Sequence, residues 1–323
     1  MSTILVLGAN GFLGRSIAHR LILDGHLVHL HGRRGTSDER DVDGFVHELD
    51  LESATTADVL RMLDLSGAEV VVNCTGATSG ERADLYLHNV AVVERLLAAV
   101  QHRAAVRLVH LGSAAEYGPT SRRPVREDDT ALPISEYGRS KLAGTQRVIE
   151  GVTAFDGHAV VLRVFNPVGA NQPPSSAVGR AVVAMRDALR RREPGIELGR
   201  LDSWRDYIGT GDVAGAVAAV ATDPTWADPV AVFNVGLGRA TSTSRLIEEL
   251  AEVAGFGGAI TERDTFGSSR SEGLDWQQAD ISALTAATGW QPVQSLHDAL
   301  VDAWTSADDH VVDARRQAPA RSR

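Results

Sequence analysis

Residues 4–14 read ILVLGANGFLG, an apolar run that leads into three glycines spaced three residues apart. The apolar residues predict a buried strand, and the residues after it predict the first turn of a helix. Glycines with this spacing permit a tight turn and bring the backbone close to a pyrophosphate, which the N–H groups and dipole of the helix N-terminus stabilise. The stretch therefore predicts a dinucleotide-binding turn made of Gly8, Asn10, Gly11, Phe12, Leu13 and Gly14.

The first half of the chain continues to alternate short β-branched runs with amphipathic stretches. Strands are predicted at Ile4–Leu7, Leu27–Leu30, Phe45–Leu49, Val70–Asn73, Arg107–Leu111 and Ala159–Arg163. Helices are predicted at Leu13–Leu23 and Tyr86–Gln101. This alternation predicts an α/β fold, a Rossmann-type doubly wound parallel sheet with ligands at the carboxyl ends of its strands.

The rhythm changes after Asn166, where a Pro/Ser-rich segment and irregular stretches separate further predicted helices at Val178–Arg192, Thr210–Thr222 and Thr243–Gly255. We predict a dinucleotide-binding domain at 1–165, completed by return segments near 206–238 that include a strand at Val230–Val235. A smaller α/β domain at 166–310 should bind the substrate. The Arg-, Ala- and Pro-rich tail at 311–323 is predicted to be disordered.

The composition disfavours several classes of protein. With 42 acidic and 32 basic residues the formal charge is −10, which disfavours a nucleic-acid-binding surface. No apolar run approaches the about 20 residues that span a bilayer. The single cysteine, Cys74, fits a reducing compartment. We expect a cytoplasmic protein without nucleic-acid, membrane or metal partners.

The chain contains one lysine, Lys141, against 31 arginines. Lys141 follows Tyr137 by four residues, so the two side chains share one face of a helix. A compact ammonium, which arginine cannot replace, favours the phenolate form of a neighbouring tyrosine. Ser113, at the end of another predicted strand, can hydrogen-bond a reacting oxygen. We predict that these three residues are catalytic, with Tyr137 as the proton donor for hydride transfer.

The end of the second predicted strand bears on cofactor preference. Arg33 and Arg34 stand there instead of an acidic residue, and two guanidinium groups suit the 2′-phosphate of NADP. We favour NADP(H), with NAD(H) as the alternative if the two arginines belong to a solvated loop. Asp50 is placed to accept a hydrogen bond from the adenine amine or to be an exposed turn carboxylate. The other predicted cofactor-binding residues are Leu51, Cys74 and Gly76, together with Tyr137 and Lys141.

The motifs together resemble the extended short-chain dehydrogenase/reductase family, of the NAD-dependent epimerase/dehydratase type. The matching segments are the glycine turn, GSAAEYG at 112–118, YGRSK at 137–141, Asn89-Val90, LRVFN at 162–166, RDYI at 205–208, DVA at 212–214 and GWQP at 289–292. They follow the family's order from residue 4 to about residue 300. The resemblance implies a nucleotide-sugar substrate and a homodimer formed by helices near Tyr86–Gln101 and Tyr137–Glu150.

The segment after Ser113 bears on the reaction class. Sugar 4,6-dehydratases carry acidic or polar residues at the next two positions, whereas this chain has Ala114 and Ala115. The segment is more similar to that of GDP-4-keto-6-deoxymannose reductases, and GRLDSWRD at 199–206 is similar to a stretch shared by those reductases and GDP-mannose dehydratases. The resemblance implies an NADP(H)-dependent reductase of a nucleotide-activated 4-keto-6-deoxyhexose. The alternatives are an epimerase, a dehydratase and, in another class, a dinucleotide-sensing regulator without turnover.

The same resemblance implies a set of substrate-binding residues. Arginine side chains suit a nucleotide diphosphate because each can donate two parallel hydrogen bonds. The expected residues are Glu116, Asn166, Arg180, Arg205 and Arg270.

Overall fold

The computed structural model describes residues 1–32, 45–223, 228–263 and 274–316. Within these ranges the strands are β1 Thr3–Leu7, β2 Leu27–Gly32, β3 Phe45–Glu48, β4 Val70–Asn73, β5 Arg107–Ser113, β6 His158–Val164, β7 Pro167–Val168, β8 Gly195–Leu198, β9 Trp204–Asp206, β10 Ile208–Gly209, β11 Val230–Val235, β12 Ala240–Ser242, β13 Ala259–Glu262 and β14 Trp276–Gln277.

Helices connect most of these strands. They are α1 Phe12–Leu23, α2 Thr56–Ser66, α3 Arg82–Tyr86, α4 Val92–Val100, α5 Glu136–Ala154, α6 Ala177–Arg191, α7 Thr210–Thr222, α8 Thr243–Ala254, α9 Ser282–Thr288 and α10 Leu296–Arg316. A π turn, Leu87–Ala91, separates α3 from α4, and a 3₁₀ turn, Ala114–Glu116, follows β5.

Seven strands form one parallel sheet in the order β3-β2-β1-β4-β5-β6-β11. Alternate residues of β1 face opposite sides, so that Ile4 and Val6 pack towards α1 and α7 while Leu5 and Leu7 pack towards α2 and α4. Because both faces are covered by helices, the central strands are mostly apolar. The predicted Rossmann-type doubly wound fold is confirmed. Its strand order reverses between β1 and β4, where such sheets leave a ligand-binding crevice.

The second half of the chain builds a smaller region beside the carboxyl ends of these strands. Helices α6, α8 and α10 enclose a separate apolar core, to which Met185, Leu246 and Leu300 belong. Three small sheets, β7/β10, β8/β13 and β12/β9/β14, border that core. Strand β11 returns to the main sheet beside β6. The return segment predicted near 206–238 contains this strand and α7, which packs on α1.

Two elements differ from the sequence expectation. The single helix predicted at Tyr86–Gln101 contains a π turn, in which the buried Asn89 side chain bonds to groups outside the helix. Helix α10 continues to Arg316, beyond the expected start of the disordered tail at 311. Within the described residues, no helix is both long and apolar enough to cross a membrane.

Candidate active site

The glycine turn joins β1 to α1 at the crevice. The backbone N–H of Gly11 donates to the carbonyl oxygen of Gly8, which tightens the turn. A Cβ at Gly14 would lie 2.1 Å from that same oxygen, so only glycine lets α1 pack this closely on the turn. Helix α1 has no side-chain cap and no acidic residue in its first turn. Its N-terminal N–H groups therefore suit an anionic ligand, as a pyrophosphate requires.

The end of β2 lies next to the glycine turn, and β3 pairs with β2 on its other side. Asp50 follows β3, and its carboxylate accepts hydrogen bonds from Glu52 N at 3.1 Å and from Ser53 Oγ at 2.9 Å. These bonds stabilise its own exposed turn, and a contact with the adenine amine stays a prediction. Leu51 is buried beside it. Arg33 and Arg34 lie outside the described residues.

Cys74 directly follows β4, and its backbone N–H donates to Leu7 O at 3.0 Å. Burial raises the pKa of the Cys74 thiol to about 12, so the thiol stays protonated and unreactive at neutral pH. Gly76 follows in an exposed loop, where a Cβ would lie 2.6 Å from Asn89 Oδ1. Both residues therefore lie at the carboxyl edge of the sheet, beside the glycine turn.

Ser113 ends β5 and caps the 3₁₀ turn that follows. Its Oγ accepts a hydrogen bond from Ala115 N at 3.2 Å, and its own N–H donates to Glu116 Oε1 at 2.8 Å. Because the hydroxyl accepts from its own turn, its hydrogen can be directed towards a ligand. The capping box fixes the serine at the carboxyl edge of the sheet.

Glu116 differs from the expectation of a substrate contact. Its side chain is 0% exposed. One carboxylate oxygen accepts from Arg163 Nε at 3.0 Å, and the other accepts from Thr145 Oγ1 at 3.0 Å as well as from the Ser113 N–H. A carboxylate with these partners stabilises the serine turn from the inside of the protein. It does not present an oxygen to the crevice.

Helix α5 carries the predicted acid–base pair. Ser135 caps the helix by accepting from Gly138 N, and the partly exposed Tyr137 lies in the first turn. One turn later Lys141 is buried, and its Nζ donates to Leu111 O at 2.7 Å. Burial lowers the pKa of Lys141, while the negative charge of Glu116 opposes this shift. The lysine is therefore attached to the strand that carries Ser113.

Close contact between α5 and the serine turn depends on Gly138. A Cβ at this position would lie 2.5 Å from the carbonyl oxygen of Ala115. The residue after Tyr137 therefore touches the turn that Ser113 caps. This contact and the Lys141–Leu111 hydrogen bond bring Ser113, Lys141 and the first turn of α5, which carries Tyr137, together at the carboxyl end of β5.

Asn89 is a site residue whose role the sequence did not predict. Its amide, in the π turn, donates to Ala77 O and to Ser140 Oγ, both at 2.9 Å, and its Oδ1 accepts from Ala77 N at 3.0 Å. It thus ties the loop after β4 to the helix of Tyr137 and Lys141. A polar residue within an otherwise apolar helical face was the signal in the sequence, but its partners are remote along the chain.

The residues expected to bind substrate are only partly brought together. The side-chain amide of Asn166 donates to Asp206 O at 2.9 Å, which places it next to Arg205. The buried guanidinium of Arg205 donates to the carbonyl oxygens of Trp204 and Leu274. Arg180 donates to Ser175 O at 2.6 Å in the loop that precedes its own helix. Arg270 lies outside the described residues.

The chain matches the model of the NAD dependent epimerase/dehydratase family over residues 4–236. It is 36% identical over 311 residues to dTDP-6-deoxy-L-talose 4-dehydrogenase (NAD(P)(+)) of Kitasatospora kifunensis, an alignment that covers 94% of this chain and 95% of that protein. It is 29% identical over 232 residues to UDP-glucose 4-epimerase of Azospirillum brasilense, with 68% of this chain and 65% of that protein covered.

Solved structures share the fold across the whole chain. UDP-glucose-4-epimerase from Stenotrophomonas maltophila, with bound NAD and formylated UDP-arabinopyranose, has a TM-score of 0.84 at 22% identity and covers 97% of this chain and 100% of that one. RMD from Pseudomonas aeruginosa, complexed with NADPH, has a TM-score of 0.80 at 21% identity, and the match covers 96% of this chain and 100% of that one. With its motifs in order and its family match over most of its length, the chain belongs to the NAD dependent epimerase/dehydratase family, within the extended short-chain dehydrogenases/reductases.

Proposed function

We propose that this protein is an NADP(H)-dependent reductase of a nucleotide-activated 4-keto-6-deoxyhexose. Two features support the proposal: the convergence of Ser113, Tyr137 and Lys141 beside the glycine turn, and the similarity over nearly the full length to a protein named as a dTDP-sugar 4-dehydrogenase. Such a dehydrogenase, run in reverse, reduces a 4-keto sugar.

A dinucleotide fits the groups that line the crevice. The uncapped N-terminus of α1 suits the pyrophosphate, and the close packing at Gly14 leaves room for it. The structural neighbours include complexes with NAD and with NADPH. When bound, the reduced dinucleotide would supply the hydride. We assign the preference for NADP(H) to Arg33 and Arg34, whose guanidinium groups suit a 2′-phosphate.

The side chains of this protein would handle the proton and the developing charge. Tyr137 donates its hydroxyl proton to the oxygen of the sugar carbonyl. Ser113 directs its hydroxyl hydrogen to the same oxygen and stabilises the negative charge that develops there. Lys141, held by Leu111 O, stabilises the phenolate that Tyr137 becomes. A proton from solvent then restores the phenol.

The observation that carries the reductase proposal is the composition and orientation of the serine turn. Ala114 and Ala115 bear no acid, and the carboxylate of Glu116 points inward to Arg163 and Thr145. No carboxylate of this turn can protonate a leaving hydroxyl, which dehydration requires. Carbonyl reduction needs only the serine, the tyrosine and the lysine.

We assign recognition of the nucleotide diphosphate to Asn166, Arg180, Arg205 and Arg270. Arg205 supports this assignment because its guanidinium bonds to two backbone carbonyls and retains donors for an anion. The 4-dehydrogenase relative favours a dTDP-linked sugar over the GDP-linked sugar that the sequence motifs resemble.

The test is to incubate the protein with NADPH and preformed dTDP- and GDP-4-keto-6-deoxyhexoses, and to determine the mass of the sugar product by mass spectrometry. A gain of about two mass units with stoichiometric consumption of NADPH supports reduction. Loss of about eighteen mass units from an unmodified hexose nucleotide, with catalytic NADP, shows dehydration and contradicts the proposal. The Tyr137→Phe variant serves as the inactive control.

A nucleotide-sugar epimerase is the second candidate, because several relatives at 24–29% identity are named as UDP-glucose 4-epimerases or putative ones. An epimerase oxidises and re-reduces one carbon, so the mass and the total amount of reduced cofactor stay unchanged. Product of unchanged mass but altered retention time would favour it. A protein that retains its dinucleotide through purification would also favour an epimerase, since a reductase must exchange its cofactor.

We further propose a homodimer in which α4 and α5 face the same helices of a second copy. The two helices pack together within one chain, where Arg147 Nε lies 2.9 Å from Glu94 Oε1. Light scattering after gel filtration tests the dimer. A monomer at assay concentrations would contradict it.

A further inference from the structure

His31 is a buried, titratable residue at the end of β2 that the proposed chemistry does not use. Its imidazole is 3% exposed and contacts both sides of the predicted dinucleotide site. On one side, Nδ1 accepts a hydrogen bond from the backbone N–H of Gly8 at 3.3 Å. On the other, Nε2 lies 2.7 Å from the carbonyl oxygen of Leu49, which directly precedes Asp50.

The backbone of the same residue strengthens these links. The carbonyl oxygen of His31 accepts from Ala9 N at 3.1 Å, and the next carbonyl, of Gly32, accepts from Leu49 N at 3.3 Å. The first two amides of the glycine turn are therefore bound to His31, and Leu49 is bound through its carbonyl oxygen to His31 and through its N–H to Gly32. One residue links the pyrophosphate turn to the loop that begins at Asp50.

The contacts also determine the protonation state of the imidazole. Nδ1 can accept from Gly8 N–H only if it carries no proton, so the neutral ring must carry its proton on Nε2. That proton is then donated to Leu49 O. A second proton, on Nδ1, would face the Gly8 N–H and abolish the contact.

We propose that His31, as a neutral imidazole protonated on Nε2, is a positioning residue for dinucleotide binding. It holds the glycine turn against the loop that begins at Asp50, where we expect the adenine to bind. This role rests on the proposed function, because it assumes that the dinucleotide binds at the glycine turn. Protonation of His31 releases Gly8 and weakens dinucleotide binding. Burial lowers the pKa of this imidazole, which keeps it neutral at ordinary pH. The titratable groups that face it are His47 on β3 and Asp50. The charge of His47 lowers the pKa of His31, and the charge of Asp50 raises it.

His29 provides a matched control. It lies on the same strand two residues earlier, is also buried, and burial lowers its pKa as well. Its ring stacks on Phe45 at 5.0 Å between centroids, and its Nδ1 lies 2.8 Å from His47 Nε2. No contact of His29 involves the glycine turn, so His29→Leu removes a buried histidine without releasing Gly8.

The experiment measures the Kd of NADPH by its fluorescence between pH 7.5 and 5.5, without any sugar, for wild type, His31→Leu and His29→Leu. Titration of the ligand's own phosphate cancels in the comparison. At pH 7.5 we expect His31→Leu to bind roughly tenfold more weakly than the other two, as for one lost hydrogen bond that leaves an amide unpaired. As the pH falls, the binding of NADPH should weaken more in the wild type and in His29→Leu than in His31→Leu, which has no imidazole at this position to protonate.

Nitrogen NMR of the wild-type histidines tests the tautomer without any substitution, and the expected result is a proton on Nε2 of His31. A proton on Nδ1 instead overturns the proposal. So does NADPH binding by His31→Leu within twofold of His29→Leu, or binding by wild type that tightens as His31 becomes protonated. If the wild-type protein binds no dinucleotide at all, the proposed function itself fails, and the role of His31 fails with it.

Discussion

The Nζ atom of Lys141 donates a 2.7 Å hydrogen bond to the carbonyl oxygen of Leu111, two residues before Ser113. This bond attaches the ammonium to the end of the strand that presents the serine. The side chain is 6% exposed, so the space around it is closed. The orientation of the lysine is therefore set by the protein before any ligand binds, as preorganised catalysis requires.

Replacing Lys141 with Arg should reduce turnover at least about a hundredfold although the charge is kept, because a planar guanidinium cannot occupy a closed site that fits a compact ammonium. Steady-state kinetics with a 4-keto nucleotide sugar measure this. Lys141→Met, which removes the charge from a side chain of similar length, is the control. An arginine variant with more than a tenth of wild-type activity would show that charge alone suffices.

Replacing Tyr137 with Phe should lower kcat by about 10²–10⁴, the usual contribution of a positioned acid, while the Kd of the dinucleotide stays near its wild-type value. Single-turnover kinetics and cofactor fluorescence measure the two quantities. Tyr86→Phe, outside the predicted catalytic set, should change neither. If Tyr137→Phe kept most of its activity, another group would be the proton donor.

Replacing Gly138 with Ala should lower kcat because the new Cβ would meet the Ala115 carbonyl oxygen at 2.5 Å and push α5 away from the serine turn. Gly151→Ala on the same helix is the matched control. Its Cβ would meet only the flexible Leu97 side chain, at 3.0 Å. Both variants gain about 1 kcal/mol of helix propensity, so a kcat loss confined to Gly138→Ala identifies the contact. Equal activities would refute it.

Replacing Glu116 with Ala should lower the free energy of unfolding by about 3–5 kcal/mol, because Arg163 would remain buried without its partner. Urea denaturation measures this. The double variant Glu116→Gln/Arg163→Met removes both charges and should recover much of the stability. A Glu116→Gln variant with unchanged stability but no activity would instead return Glu116 to the substrate-binding set.

Acid should destabilise the protein through its buried histidines. Burial holds the pKa of His110 well below 6.5, its unfolded value, and lowers the pKa of His29, His31 and His47. As the pH falls, these histidines therefore take up protons at a higher pH in the unfolded chain than in the folded protein. The stabilisation from neutral His110 is complete above pH 6.5 and decreases by about 1.4 kcal/mol per pH unit below it, until the folded pKa is reached.

The measurement is urea denaturation at pH 7.5 and pH 5.5. His110→Gln should show a smaller loss of stability between these pH values than wild type. The exposed His102→Gln should behave as wild type does. A wild-type stability that is constant or rises on acidification would contradict the assignment of neutral buried imidazoles.

Much of the fold could be predicted from the sequence because it depends on local patterns. The glycine turn has the same consequence wherever it occurs, since a tight turn and a close helix need residues without a Cβ. Strand β4 and helix α7 have the predicted bounds, because apolar periodicity follows directly from burial. The one lysine and its spacing from Tyr137 identified the predicted acid–base pair from helical geometry alone.

The tertiary structure decided the roles of residues whose partners are far away along the chain. Glu116 looked like a site carboxylate, but parallel pairing of β5 with β6 sets Arg163 opposite Gly112 and directs the carboxylate inward. Asn89 lies in a π turn, and its amide donates to Ser140, fifty-one residues later. In the sequence His31 is one of two histidines in a short strand, and its partners become evident only when β1, β2 and β3 lie side by side. Hydrogen bonds of this kind depend on which strands become neighbours, and that information is not contained in any local pattern.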